Sequence, residues 1–183
     1  RRLEDLRAAA RGGGQLFHLV LILHREVGVQ TVIRLDERDI RARRRGCLRL
    51  ERFGLAGASG GCQAEIGTAS AMAAGALTSL RGGDPQQIGH AAAMALKNLM
   101  GLVCDPVGGL VEYPCQNRNA AGVANALIAA ELSLSGIRQL IPFDQMLDAM
   151  YAVGKRLPAE LRETALGGCA ATPSACAKCG LCS

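Results

Sequence analysis

Tryptophan is absent from this sequence, and Tyr and Phe supply only 2 and 3 residues. A β-sandwich core draws on aromatic and β-branched residues, so a chain this poor in aromatics argues against one. Long apolar runs are missing too. The longest uncharged stretch, 66–80, has 15 residues rich in Gly, Ser and Thr, too short and too polar to span a bilayer. LFHLVLILH at 16–24 is short, holds two His and follows a charged segment, which argues against a signal peptide. No membrane association is expected. The first residue is Arg rather than Met, and the start of the protein is expected to lie upstream.

Basic residues are numerous but unevenly placed. The net charge is +5, of which residues 1–52 contribute +6 (13 Arg, no Lys, 7 acidic) and residues 53–183 contribute −1 (8 basic, 9 acidic). The dense patch RARRRG at 41–46 has no aromatic residue interleaved for base stacking. It reads as a solvated charge run, and no nucleic-acid partner is expected.

A length of 183 residues allows one domain with a real core. Alanine dominates the centre, and Gly counts 23. Small residues suit closely packed helices, so the fold class expected is all-α, a helical domain with Gly/Pro-rich loops. Three segments are expected: a divergent Arg-rich stretch (1–54), the helical domain (55–172) and a Cys-rich tail (173–183). VGVQTVIRLDERDI at 27–40 has weak strand character before it turns charged. Residues 63–81 read as one uninterrupted helix closed by Gly82-Gly83. Asp84, Pro85 and Gln87 form a capping-box start for a second helix, running to about Met100 and Gly101. An irregular loop follows over 104–118. Further helices are expected over 119–135 with Gly136 as the stop, from Asp144 to Leu157, and from Pro158 to Leu166. No internal repeat is present.

Eight cysteines are too few for a disulfide scaffold of this length. In a cytoplasmic protein, the location expected here, cysteines are more often metal ligands or catalytic groups than disulfide partners. Cys62 precedes the first helix, Cys115 precedes the third, and Cys104 lies in the loop between. A helix N-terminus carries partial positive charge, which lowers a thiol pKa and favours the thiolate that binds metal. Taken singly, each thiol reads as a small buried hydrophobe. Their loop settings, beside Gly-Gly and between prolines, point instead to a shared metal site. The separations of 42 and 11 residues match no general ligand motif. The residues alone leave both readings open.

Three stretches carry a resemblance: SGGCQAEIGTASAMAAG (59–75), HAAAMALKNLMGLVCDPVGGLVEYPCQNRNA (90–120) and LPAELRETALGG (157–168). They resemble the α domain, or α subunit, of bacterial iron–sulfur L-serine dehydratases over about residues 55–175. The Arg-rich residues 1–52 depart from that pattern. The resemblance implies a [4Fe–4S] cluster on Cys62, Cys104 and Cys115, in the GGCQAE, CDP and PC-x-x-RNA motifs. Three thiolates would leave one iron without a protein ligand. It further implies a lyase that converts L-serine to pyruvate and ammonia, with that iron as Lewis acid. The substrate motif rich in Ser and His belongs to the family's β domain, so a β subunit or β domain is the implied partner, within an oligomer. Alternatives are an L-cysteine desulfidase-like lyase and a non-catalytic cluster-binding fragment.

Arg118 and Asn119, beside Cys115, are candidates for holding the substrate carboxylate or the cluster sulfides. An internal salt bridge is the equal alternative for Arg118. Glu65 is expected to cap its helix or to hydrogen-bond within the site. Arg162 and Glu163 are expected to form an ion pair ordering the last helix. His90 reads as a packing or capping residue, and no general base is identified. Lys97, Lys155 and Lys178 have no convincing setting for pyridoxal phosphate. The tail places Cys176, Cys179 and Cys182 in a C-x-x-C-x-x-C pattern. Cys182 is a possible tail ligand for the open iron; a separate metal site or a mobile tail are the alternatives. Cys47 and Cys169 read as structural.

Overall fold

The computed structural model describes residues 18–24, 28–34, 57–110 and 112–179. Strand pairing among them is confined to one hairpin and one isolated bridge. Strands β1 (His18–His24) and β2 (Gly28–Arg34) pair antiparallel, with His18 opposite Arg34 and His24 opposite Gly28. β2 falls within the stretch whose sequence has strand character. The elements described from Gly57 onward are all helical, as the composition predicts.

A single helical turn, α1 (Gly57–Gly60), leads through Gly61 to Cys62. Gly61 has φ +78°, and a Cβ there would meet the Leu102 carbonyl oxygen at 2.7 Å, so both conformation and space require glycine. The helix predicted over 63–81 is two pieces. Gln63–Gly67 has π spacing, and α2 (Thr68–Leu80) continues it as a regular helix. Short π segments inside helices are frequent at functional sites, because they re-aim neighbouring side chains.

Helix α3 (Pro85–Asn98) begins as the sequence predicts. The Asp84 carboxylate accepts the Gln87 N–H at 2.8 Å, and Gln87 Oε1 accepts the Asp84 N–H at 3.0 Å. Helix α4 (Cys115–Leu134) starts four residues earlier than expected, directly after Pro114, so Cys115 opens the helix rather than preceding it. Helix α5 (Phe143–Arg156) carries Asp144 in its first turn and Lys155 and Arg156 in its last, the arrangement its dipole favours.

The helix expected over 158–166 does not form. Only Ala159–Leu161 makes a 3₁₀ turn, and Glu163 and Ala165 have φ of +66° and +58°. Backbone at those angles cannot continue a right-handed helix. The segment is instead a strap, held to Cys104 by an isolated bridge. Beyond it, α6 (Pro173–Cys179) is a short helix holding Cys176 and Cys179, so this part of the tail has regular structure. Cys47 and Cys182 lie outside the described residues.

Alanine explains how the four long helices approach one another. Ala71, Ala74, Ala91, Ala95, Ala126 and Ala129 are all buried, with Met94, Leu96, Met146 and Met150 filling the remaining volume. Polar ties fix the register between helices. Asn125 Nδ2 on α4 donates to Ser70 Oγ at 2.8 Å and to the Ala95 carbonyl at 2.9 Å. No described helix is long and apolar enough to cross a membrane.

Candidate metal centre

The backbone gathers the site from four places distant in sequence. Cys62 caps the π segment, Cys104 sits in the α3–α4 loop, Cys115 opens α4, and the 161–163 strap closes over them. The strap is fixed at both edges of Cys104. The Cys104 N–H donates to the Leu161 carbonyl at 2.9 Å, and the Glu163 N–H donates to the Cys104 carbonyl at 2.7 Å. Glu163 Oε2 then accepts the Ala58 N–H at 2.9 Å, which ties α1 to the strap. This contact replaces the expected ion pair with Arg162, whose Nε is buried with no hydrogen-bond partner.

The ligand atoms of Cys62, Glu65 and Cys104 lie within 4.8 Å of one another. Cys62 and Cys104 are buried, and Ile66, Leu99 and Leu102 pack around them. Cys115 is close enough to Cys62 to feel its charge. Of the three cysteines singled out in the sequence, Cys62 and Cys104 therefore meet in this group, and Cys115 stands beside Cys62 outside it.

Their titration differs sharply. A hydrogen bond with Cys104 lowers the Cys62 thiol most, and the neighbouring Arg118 guanidinium adds to this against the opposing effects of burial and Glu65. Cys104 is pushed far up, first by that same hydrogen bond and then by burial. Cys115 is also raised, by burial and then by Cys62. The expectation that a helix N-terminus leaves its thiol more acidic thus fails at Cys115, where desolvation wins. Burial raises the Glu65 carboxyl, although Glu65 Oε1 accepts the Gly57 N–H at 3.0 Å.

Arg118, expected at the substrate or in an internal salt bridge, makes the salt bridge. Its Nη1 donates to the Val103 carbonyl at 3.1 Å and to Asp105 Oδ1. Asn119, its neighbour, is exposed. His90 Nδ1 accepts the Gln139 N–H at 3.2 Å, a tie between α3 and the α4–α5 loop rather than a helix cap.

Two residues of structural weight escaped the sequence reading. Asp105 is 2% exposed and accepts the Cys169 N–H through Oδ2 at 2.6 Å. Gln63 is fully buried; its amide donates to the Gly60 and Met150 carbonyls at 2.9 and 3.1 Å and accepts the Gly101 N–H at 2.8 Å. Both stand directly next to a motif cysteine, and that adjacency was the available signal.

The donor set fits a thiolate-bound metal centre. Soft sulfur donors select soft or borderline metals and iron–sulfur clusters. Gly57 packs directly against the site: a Cβ there would stand 2.6 Å from Cys104 Sγ, too close to fit without a shift.

A helical domain with converging thiols at loop ends and helix starts is thus the class the coordinates define. Residues 41–170 match the family described as "Serine dehydratase alpha chain", and the chain belongs to that family. It is 57% identical over 120 residues to the "Probable L-serine dehydratase, alpha chain" of Bacillus subtilis (strain 168), covering 66% of this chain and 40% of that one. It is 56% identical over 115 residues to the "L-serine dehydratase, alpha chain" of Peptoniphilus asaccharolyticus, covering 63% and 39%. Over 128 residues it is 44% identical to the "L-serine dehydratase" of Helicobacter pylori (strain J99 / ATCC 700824), covering 69% and 28%. The chain therefore spans about two fifths of the first two relatives, at 40% and 39%, and 28% of the third.

Proposed function

We propose that this chain is the metal-binding component of an L-serine dehydratase, with Cys62, Cys104 and Cys115 as ligands of a [4Fe–4S] cluster. The observation that supports this best is the meeting of Cys62 and Cys104 in one buried pocket beside Cys115. When bound, such a cluster supplies a Lewis-acidic iron that makes the serine hydroxyl a better leaving group. Loss of that hydroxide with the α-proton gives aminoacrylate, which yields pyruvate and ammonia in water.

The chain's own residues prepare the pocket. Ile66, Leu99 and Leu102 exclude water around the thiols, which strengthens electrostatic interactions inside. Arg118 places a fixed positive charge beside Cys62, favouring its thiolate. Because Nη1 is already engaged, Arg118 acts from a fixed position, and the exposed Asn119 is the freer of the two toward a substrate carboxylate. The base for the α-proton is assigned to the β chain implied by the name "alpha chain", and the pair works in the cytoplasm.

Anaerobic reconstitution of the chain with iron and sulfide, alone and with a β chain of this family, tests the reading. Pyruvate formed from L-serine with the β chain present is the expected result. Pyruvate formed faster from L-cysteine would indicate a desulfidase. Cluster uptake with no turnover of either would indicate a non-catalytic cluster protein. Cys104→Ser should abolish the brown chromophore, and unchanged iron in that variant overturns its place as a ligand.

A further inference from the structure

Three thiols account for three corners of a four-iron cluster. The pocket holds one more donor that this count leaves out. Glu65 stands with Cys62 and Cys104 in the group whose ligand atoms fall within 4.8 Å. It lies three residues after Cys62, inside the π segment.

Its two oxygens are used differently. Oε1 accepts the Gly57 N–H at 3.0 Å, which fixes the carboxyl in place. Oε2 lies 3.4 Å from where a Cβ on Gly57 would stand, and Cys104 Sγ lies beside the same point at 2.6 Å. Among the described residues, no ion pair is formed by Glu65. Arg118, whose charge reaches Cys62, already faces Asp105. A half-buried carboxylate beside sulfur donors, with only one N–H to serve it, is poorly compensated. Protonation or a metal cation would compensate such a group.

Resting on the cluster reading above, the geometry points to Glu65 as a fourth protein ligand, an oxygen donor at the iron that the three thiolates leave free. The chemistry suits an exchangeable position. A carboxylate is a harder donor than a thiolate and is held less tightly by an iron–sulfur centre, so another oxygen donor can displace it. That exchange swaps one oxygen for another and moves no electron.

The test uses the full chain grown with carboxyl-13C glutamate, reconstituted anaerobically, reduced and read by electron–nuclear double resonance. A carbon-13 coupling to the cluster is expected in the wild type and in Cys182→Ser and Glu163→Gln, and lost in Glu65→Gln. The glutamine keeps an acceptor for the Gly57 N–H, so folding, followed by circular dichroism, should survive. A cluster that forms but shows no carbon-13 coupling overturns the role of Glu65 while leaving the three thiolates in place. A coupling that persists in Glu65→Gln, or disappears in Cys182→Ser, overturns it too. Failure of the wild type to take up any cluster overturns the cluster reading itself, and this inference with it.

Discussion

Arg118 and Asp105 form an ion pair in which the carboxylate is 2% and the guanidinium 19% exposed. The two residues come from α4 and from the loop before it, and the second oxygen of Asp105 holds the Cys169 N–H. One buried carboxylate therefore joins the loop, α4 and the segment after the strap. Gly168, at φ +61°, lets the chain pass close: a Cβ there would stand 2.3 Å from Asp105 Oδ2. Arg118 overrides the upward push of burial and keeps the Asp105 carboxyl below its ordinary range, followed by the Cys169 N–H.

Removing one partner of such a pair leaves a desolvated charge without compensation. Asp105→Ala should cost about 3 kcal/mol of unfolding free energy. Equilibrium urea titration would show it as a lower midpoint. A loss below roughly 1 kcal/mol, the level of an exposed pair, would mean that water reaches the guanidinium in solution.

The start of α3 gives a control remote from the metal centre. Asp84→Ala removes the acceptor for the Gln87 N–H and breaks the capping box. About 1 kcal/mol of stability should be lost, as for other N-caps. Iron content after reconstitution should be unchanged, because none of the site residues touches this cap. An equal drop in iron would show that the centre reports on global stability rather than on its own geometry.

How much of this was legible in the residues depends on how local each signal is. The α3 start was readable because Asp84, Pro85 and Gln87 act on their own turn. Gly136, at φ +92° behind α4, was readable for the same reason. The strap over 158–166 was not. Its residues favour helix, but Cys104, more than fifty positions away in sequence, pairs with Arg162 and draws the chain into another path. The thiols were legible as candidates from their loop settings, and their convergence needed the fold. Asp105 and Glu65 stood inside the motifs, yet a carboxylate looks alike in sequence whether it is solvated or buried beside sulfur.

Gly122 is where α4 meets the π segment. A Cβ there would lie 2.8 Å from Ile66 Cγ2, and Ile66 is the residue after Glu65. Gly122→Ala gains helix propensity of somewhat under 1 kcal/mol. The overpacking cost of about 1–3 kcal/mol should exceed that gain. The net effect is a modest loss of stability together with displacement of Glu65. Its signature would be iron bound but more readily removed by a chelator than in the wild type. Chelation as slow as in the wild type would show that the helix shifts away without disturbing the π segment.

Gly57 separates the pocket from the fold more cleanly. It lies in α1 without a positive φ, so alanine is conformationally tolerated, with a gain of at most about 1 kcal/mol. Against that stands the approach of the new methyl to Cys104 Sγ at 2.6 Å and Cys104 Cβ at 3.2 Å. The Cys104 backbone is fixed by hydrogen bonds to Leu161 and Glu163, so the sulfur cannot retreat far. Without metal the two effects should nearly cancel, leaving stability within about 1–2 kcal/mol of the wild type. With metal they should not, because the methyl would displace Cys104 Sγ and crowd Glu65 Oε2. Iron per chain after reconstitution should fall steeply in Gly57→Ala while circular dichroism stays unchanged. Full iron uptake in that folded variant would mean that the cluster sits elsewhere among the thiols.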